Sequence, residues 1–415
     1  MSGFNWAGTY EYGARALHRP STWDELRALV ARAPRLRVLG SRHSFNGIAD
    51  STELVSLDLL PAAPVLDRAA QTVAVGASAS YGALATALAS QGMALHNLAS
   101  LPHISVAGAV ATATHGSGDA NGNLATAIAG LELVTSGGDV LTFSRGDPDF
   151  DGVVVSLGAL GAVTRLTLAV EPAYEVRQHV FRELAWDRLF AHFDAISASG
   201  YSVSVFTRWG DAVDMVWVKR RATDAREPIG GDLLGAPAAT TDLHPIAGFD
   251  PAACSPQRGI SGAWWDRLPH FRMGFTPSAG DEIQSEYLLP RRHAVSAIDA
   301  VRALSRTVRP LLHVSEIRTI AADRLWMSPQ YGRDAVGIHF TWRREPAAVE
   351  RAVAAVEAAL APFEARPHWG KLFVARAAEI GPLYERLPDF VRLAERLDPR
   401  GAFRNDWLRE HVLGA

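Results

Sequence analysis

Cys254 is the only cysteine in 415 residues. An internal disulfide and a cysteine-based metal centre are therefore excluded, and no metal is expected. An excess of charge of one sign is missing too. The formal net charge is -3 with 20% charged residues, which gives no reason to expect nucleic acid or an anionic membrane as partner. No run of roughly 18 uninterrupted apolar residues occurs, so no membrane span is expected. The opening MSGFNWAGTYEYGARAL has no basic stretch followed by an apolar one, so no secretory signal is expected and the economical localisation is cytoplasmic. Several chemical signatures are absent: the GxxxxGK[ST] phosphate loop, the nicotinamide glycine fingerprint, the Gly-x-Ser-x-Gly elbow and the His-Glu-x-x-His zinc motif. Nucleotide hydrolysis, esterase and zinc-protease readings thus lack support.

Apolar residues make up 48% of the chain, enough for sizeable cores. The length exceeds what one core usually organises, so two domains are the default. Two features stand out. His43 follows a short apolar strand, in RVLGSRHSFN. The run SLPHISVAGAVATATHGSG, residues 100–118, contains no carboxylate, lysine or arginine. Small residues at this density let backbone N–H groups approach a ligand, and glycines supply the turns that aim them. Such a run suits a large anionic cofactor, although a buried alanine-rich helix is the other reading. Pro102, Gly108 and the turn Gly116–Gly118 argue against an unbroken helix. His43 is either a turn histidine or a ligand, base or point of covalent attachment. His115 either caps a turn or faces the same ligand.

Periodicity predicts a helix over 22–33, strands at 37–39, 54–56 and 72–75, a helix over 81–90, a hairpin joining 131–134 to 140–143, and a strand at 162–170. Beyond Pro172 the pattern becomes strand–helix–strand–strand twice: 179–182, 186–197, 201–208 and 213–219, then 283–289, 292–308, 313–320 and 336–342. A further helix covers 347–362. This predicts one antiparallel sheet with helices on a single face. Residues 221–262 form a long Gly-, Pro- and Ala-rich segment, expected to be functional or mobile.

Side chains two apart on a strand share a face. Gln284 with Glu286, Glu316 with Arg318, and His339 with Thr341 are such pairs. They form either an ordinary solvated face or the roof of a polar pocket that binds several hydroxyls. The turn RPHWGK adds His368 and Lys371.

Together RVLGSRHSFNGIAD, NLASLPHISVAGAVATATHGSG, SLGALGAVTRLTL, PHFRMGFTPSAGDEIQSEYLLPR, EIRTIAADRLWMSPQYGRD, IHFTW and RPHWGK resemble the alditol oxidases of the vanillyl-alcohol-oxidase-type flavoprotein superfamily over nearly the whole chain. The resemblance implies an α+β protein of two domains. One is a PCMH-type FAD-binding domain of α/β subdomains, residues 1–174. The other is a substrate-binding cap, residues 175–365, with one antiparallel sheet covered by helices on one face. Residues 366–415 return to the first domain. It implies FAD linked covalently through His43, with Gly40, Ser41, Arg42, Ser44, Ser100, His103, Ser105, Gly108, Thr114, His115, Gly116, Ser117, Gly118, Gly161, Val163, His368 and Lys371 around it. It implies a substrate pocket of Ser105, Gln284, Glu316, Arg318, His339, Thr341 and Lys371, with Arg318, Lys371, His339 and Glu316 catalytic. Many relatives have glycine where this chain has Arg42. The implied reaction oxidises a terminal hydroxyl of a polyol to an aldose, with O2 reduced to hydrogen peroxide and no obligatory protein partner. An aldonolactone oxidase or dehydrogenase, or a flavin electron-transfer subunit, is the alternative.

Overall fold

Three sheets of three or more strands organise the described residues, a small parallel one and two larger antiparallel ones, and the polar face of the largest lines a cavity shared with the first domain. The structure is a computed structural model that describes residues 3–226, 230–275 and 282–414. Part of the long segment at 221–262, and residues 276–281 of the resemblance, lie outside them.

In the first domain the strands Ala16–His18, Glu53–Val55 and Leu36–Val38 form a small parallel sheet. The helix Trp23–Arg32 starts on Thr22, whose side chain accepts from Glu25 N, and it buries Leu26, Leu29 and Val30. That is the spacing that puts one face against a core. A second, antiparallel sheet runs Val65–Asp67, Thr72–Gly76, Ala162–Ala169, Ile128–Val134, Val140–Ser144. Its hairpin turns through Gly138, whose φ of 87° suits glycine. Within the small-residue run the only helix is Val106–Ala111.

The cap carries an antiparallel sheet in the order Gly262–Ala263, Glu175–Ala185, Ala212–Arg221, Ser202–Thr207, Leu312–Ile320, Ala335–Arg343, Glu282–Pro290, Arg366–Pro367. Ile317, Ile338, Phe340 and Trp342 on one face are buried in the same core as Ile298, Val301 and Val353 of the helices Ala294–Ala303 and Pro346–Leu360. Two expected helices are broken. Trp186–Ala191 and Phe193–Ser197 are separated at His192 (φ -129°, ψ 23°). Ala294–Ala303 and Ser305–Val308 are separated at Leu304. Described parts of the segment 221–262 pack on the sheet: Ala239 N donates to Val180 O, and Gly259 N to Gln178 O, both at 2.8 Å.

The domains are stitched by polar groups. Gly118 N donates to Thr319 O (2.8 Å), Ser117 Oγ meets Ser202 Oγ (2.6 Å), and Arg291 pairs with Asp119 (2.6 Å). The C-terminal segment returns to the first domain, where Leu36 N donates to Ala402 O (2.8 Å). Arg37 secures this junction. Its buried guanidinium donates to Gly158 O (2.6 Å), Phe403 O (2.9 Å), Leu157 O (2.6 Å) and Ile48 O. We expect Arg37→Met to destabilise the protein by about 3–5 kcal/mol, because each buried carbonyl left without a donor costs roughly 1–3 kcal/mol. Denaturant unfolding would show it; a loss below about 1 kcal/mol would mean that water replaces the guanidinium.

Candidate active site

Strand register lines up the polar face. His339 lies opposite Glu316 on one side and Glu286 on the other. Thr341 lies opposite Gln284. Arg318 lies opposite Ser204 and Gly337. A Cβ on Gly337 would come within 3.0 Å of Leu288 Cδ1 and 3.4 Å of Glu286 Oε1, so a larger residue there would crowd the Glu286 carboxylate. Arg318 Nη2 donates to Glu286 Oε1 at 2.6 Å, and its Nε lies 3.6 Å from Glu316 Oε1. His115 Nε2 is 3.2 Å from the same Glu286 oxygen. All these side chains are buried.

The opposite wall is the His43 loop. Phe45 N donates to Gly370 O (2.8 Å), and Asn46 Nδ2 donates to Trp369 O (2.9 Å) and Lys371 O (2.7 Å). Those bonds fasten the turn after Arg366–Pro367 to the loop and bring Lys371 into the site. Lys371 Nζ donates to Gln284 Oε1, and Gln284 Nε2 to Glu282 Oε1. Gln284 Oε1 also lies 3.2 Å from His339 Nε2. An oxygen only accepts, so His339 carries its proton on Nε2, and Nδ1 holds the lone pair. Ser105 closes the loop from below: its N donates to Ser41 Oγ (2.9 Å). Added Cβ atoms at Gly40 and Gly108 would sit 2.6 and 2.7 Å from Ser105 Oγ, so a side chain at either position would push that hydroxyl aside. Arg42 has φ 62°, a region L-residues enter at a cost.

Burial dominates the electrostatics. It holds His43 down at about 4, with Lys371 adding to the effect. It holds His339 and His368 at about 3, so these imidazoles are neutral near pH 7. It lowers Lys371 to about 8, opposed chiefly by Glu286. For Glu316 burial pushes upward, but Arg318 and His270 outweigh it and hold the carboxyl below its ordinary range.

One cavity brings together Gly40, Ser41, Arg42, His43, Ser44, Ser100, Ser105, Gly108, Thr114, His115, His368 and Lys371 with Gln284, Glu316, Arg318, His339 and Thr341. Other expected residues do not line it. The His103 ring meets Met273 O (3.0 Å). Gly116 is pressed against Leu98 O, where a Cβ would lie at 2.4 Å. Ser117 and Gly118 serve the domain junction. Gly161, φ 151°, lies against Val134 O, and Val163 pairs with Leu133 in the first-domain sheet. Sequence reasoning missed Glu282, His270 and the apolar end made by Phe206, Ile246, Phe249, Phe271 and Val314. Glu286 shares a face with Gln284 and was legible there, whereas His270 stands in a segment without period.

The residues fit a large cofactor. The buried ring nitrogens of His43 have no hydrogen-bond partner among the described residues. The ring is stacked on Trp6, with centroids 5.1 Å apart and planes at 19°, and it lines the cavity beside Gly40 and Gly108.

Comparison with known proteins agrees. The family described as FAD binding domain matches residues 14–144, and the D-arabinono-1,4-lactone oxidase family matches residues 280–411. The chain is 49% identical to an alditol oxidase of a Streptomyces species (strain IKD472), covering 99% of both chains. It is 31% identical to an L-gulono-1,4-lactone dehydrogenase of Mycobacterium tuberculosis, covering 99% of this chain and 98% of that one. In fold it is similar to a cholesterol oxidase from B. sterolicum, with a TM-score of 0.77 at 17% identity over 99% of this chain and 96% of that one.

Proposed function

The chain belongs to the alditol oxidase family of FAD-dependent oxidoreductases, and on that premise we propose that it oxidises the terminal hydroxyl of xylitol, sorbitol and similar alditols to the aldose. O2 is reduced to hydrogen peroxide. The observation that carries the reading is the buried polar roof of Gln284, Glu316, Arg318, His339 and Thr341 facing the His43 loop across one cavity. A face this rich in donors, acceptors and charge suits a chain of hydroxyls and repels an apolar substrate.

FAD supplies the hydride acceptor and passes the electron pair to O2; His43 would hold it covalently, and the Gly40–Ser44 and Ser100–Gly108 segments would lie along it. The rest is the work of the chain. Glu316, Gln284, Thr341 and Ser105 hold the hydroxyls away from the reacting carbon. Arg318, kept in place by two carboxylates, binds the carbinol oxygen. Lys371, fastened to the His43 loop, offsets the negative charge that arrives with the hydride. The alcohol proton leaves to His339 Nδ1. Burial makes that imidazole a weak base, but the proton of a nascent protonated carbonyl is far more acidic, so a weak base suffices.

Anaerobic addition of xylitol to the purified flavoprotein tests this. Bleaching without any partner protein is expected and excludes an electron-transfer subunit. The lactone-oxidase match at residues 280–411 favours a second reading, and faster turnover of L-gulono-1,4-lactone than of xylitol would establish it. A further expectation concerns Glu316. Glu316→Ala is expected to lower kcat/KM for xylitol ten- to a hundredfold, since a lost hydrogen bond to a charged group costs roughly 1.5–3 kcal/mol. Flavin content should not change. Wild-type kinetics in this variant would reduce Glu316 to a structural carboxylate.

A further inference from the structure

Next to Glu316 lies a second group of buried ionisable side chains that the reaction above does not use, one of which, His270, lines the same cavity. Lys219, on the strand Ala212–Arg221, is 1% exposed. Its Nζ meets Leu268 O at 2.6 Å, Pro269 O at 3.0 Å and His270 Nδ1 at 3.3 Å. His270 Nε2 is 2.7 Å from Glu316 Oε1. The ring stands edge-on to Phe206 and Trp217, with centroids 5.4 and 5.3 Å away. Apolar walls thus leave few other partners for its nitrogens; Ser204 Oγ lies 3.5 Å from Nε2.

Proton counting settles the polarity. An ammonium has three protons, and the three contacts of Lys219 take one each. Two go to carbonyls, which only accept. The third goes to Nδ1, so that nitrogen carries a lone pair and the His270 proton sits on Nε2, aimed at the carboxylate. A neutral amine has only two protons. Its lone pair would have to face Nδ1, the ring proton would move there, and the Nε2 lone pair would oppose Glu316. Burial pulls Lys219 down to about 7, and Glu316 first, then Cys254, pushes it back up. Burial also pulls His270 down, opposed by Glu316, so the ring is neutral, and below about pH 7, where Lys219 keeps its third proton, it stands between two charges.

We propose that Lys219 and His270 are positioning residues for the oxidation, forming a dry relay that holds His270 as its Nε2–H tautomer. The relay thereby ties Glu316 Oε1 from behind and leaves Oε2 for a substrate hydroxyl. Both contacts on that carboxylate, from His270 and from Arg318, fall on Oε1. The inference rests on the reading of Glu316 as a hydroxyl-holding residue, and it adds the side chains that orient it.

A double-mutant cycle tests it. Lys219→Met is expected to lower kcat/KM for xylitol about tenfold, mostly through KM, as for one lost charged hydrogen bond. In a Glu316→Gln background the same change should cost almost nothing further, because the two residues act on one function. An equal loss in both backgrounds would make Lys219 a structural residue and overturn the relay. Should Lys219→Met not fold, His270 decides. His270→Gln keeps a donor towards Oε1 and should stay within about threefold of wild type, whereas His270→Leu should lose about tenfold; equal losses overturn the proposal. The tautomer gives a reading independent of turnover. Nitrogen-15 spectra of histidine-labelled holoenzyme should show His270 neutral with its proton on Nε2; a proton on Nδ1, or on both nitrogens, overturns the relay. If that tautomer is found while Glu316→Gln leaves xylitol kinetics unchanged, the relay stands and the hydroxyl-holding reading falls.

Discussion

Lys371→Met is expected to slow anaerobic flavin reduction by excess xylitol about a hundredfold or more, the usual loss for one preorganised electrostatic partner. Methionine keeps the stem and removes the charge. The ammonium is held in the site by a turn that Asn46 and Phe45 fasten to the His43 loop and that backbone bonds fasten to Gln284 and Glu286. It therefore faces charge that develops during hydride transfer, and its loss should fall on the reduction rate more than on substrate binding. The pH profile gives a second reading. Burial lowers Lys371 from 10.5 to about 8. The cation is present below that value and lost as pH rises through it. Wild-type reduction should slow across that range, and the variant should lack this limb. Stopped-flow absorbance measures both, and reduction of the variant at the wild-type rate would leave Lys371 as a turn residue.

His43→Ala is expected to release all its flavin on acid precipitation, whereas the wild-type pellet stays yellow. The inference rests on a half-buried imidazole, neutral near pH 7, whose two ring nitrogens are themselves buried and make no hydrogen bond of normal geometry among the described residues. A ring nitrogen kept free of protons and donors is available to form a bond, and the Trp6 stack fixes the plane of the ring. A covalent tether typically raises the flavin potential, and each 30 mV is worth about 1.4 kcal/mol for a two-electron couple. The variant should therefore oxidise xylitol more slowly even when it retains FAD. A yellow pellet from His43→Ala would place the link elsewhere.

The roof was legible because its signal is local. Alternation at 284 and 286, 316 and 318, and 339 and 341 is a property of each strand alone, and a strand sends alternate side chains to opposite faces whatever its neighbours are. His43 was legible for a similar reason: a short apolar strand followed by a polar loop is visible in ten residues. The broken helices at His192 and Leu304 were not, since neither position carries a glycine or proline to mark a stop. The run 100–118 was read as one cofactor cradle, yet the structure divides it. Ser100, Ser105, Gly108, Thr114 and His115 line the cavity, Gly116 packs against Leu98 within the first domain, and Ser117 and Gly118 meet the cap. A small residue permits close approach, but its sequence does not say to what.

The amino-acid order by itself determined which residues share a face, where the chain turns, and that a histidine loop, a small-residue run and a polar sheet face belong to one protein. These depend on backbone geometry and on neighbours a few positions away. Only the tertiary structure decided that Arg318 bridges Glu286 and Glu316, that Lys371 stands beside Gln284, and that Lys219 and His270 back Glu316. Apart from Arg318 and Glu316, which are neighbours on one strand face, those contacts join strands and turns from 32 to 87 residues apart. They follow from sheet register and domain closure, which no single segment encodes. The charges are settled there too, because burial shifts an imidazole or an ammonium only once the rest of the chain has displaced the water around it.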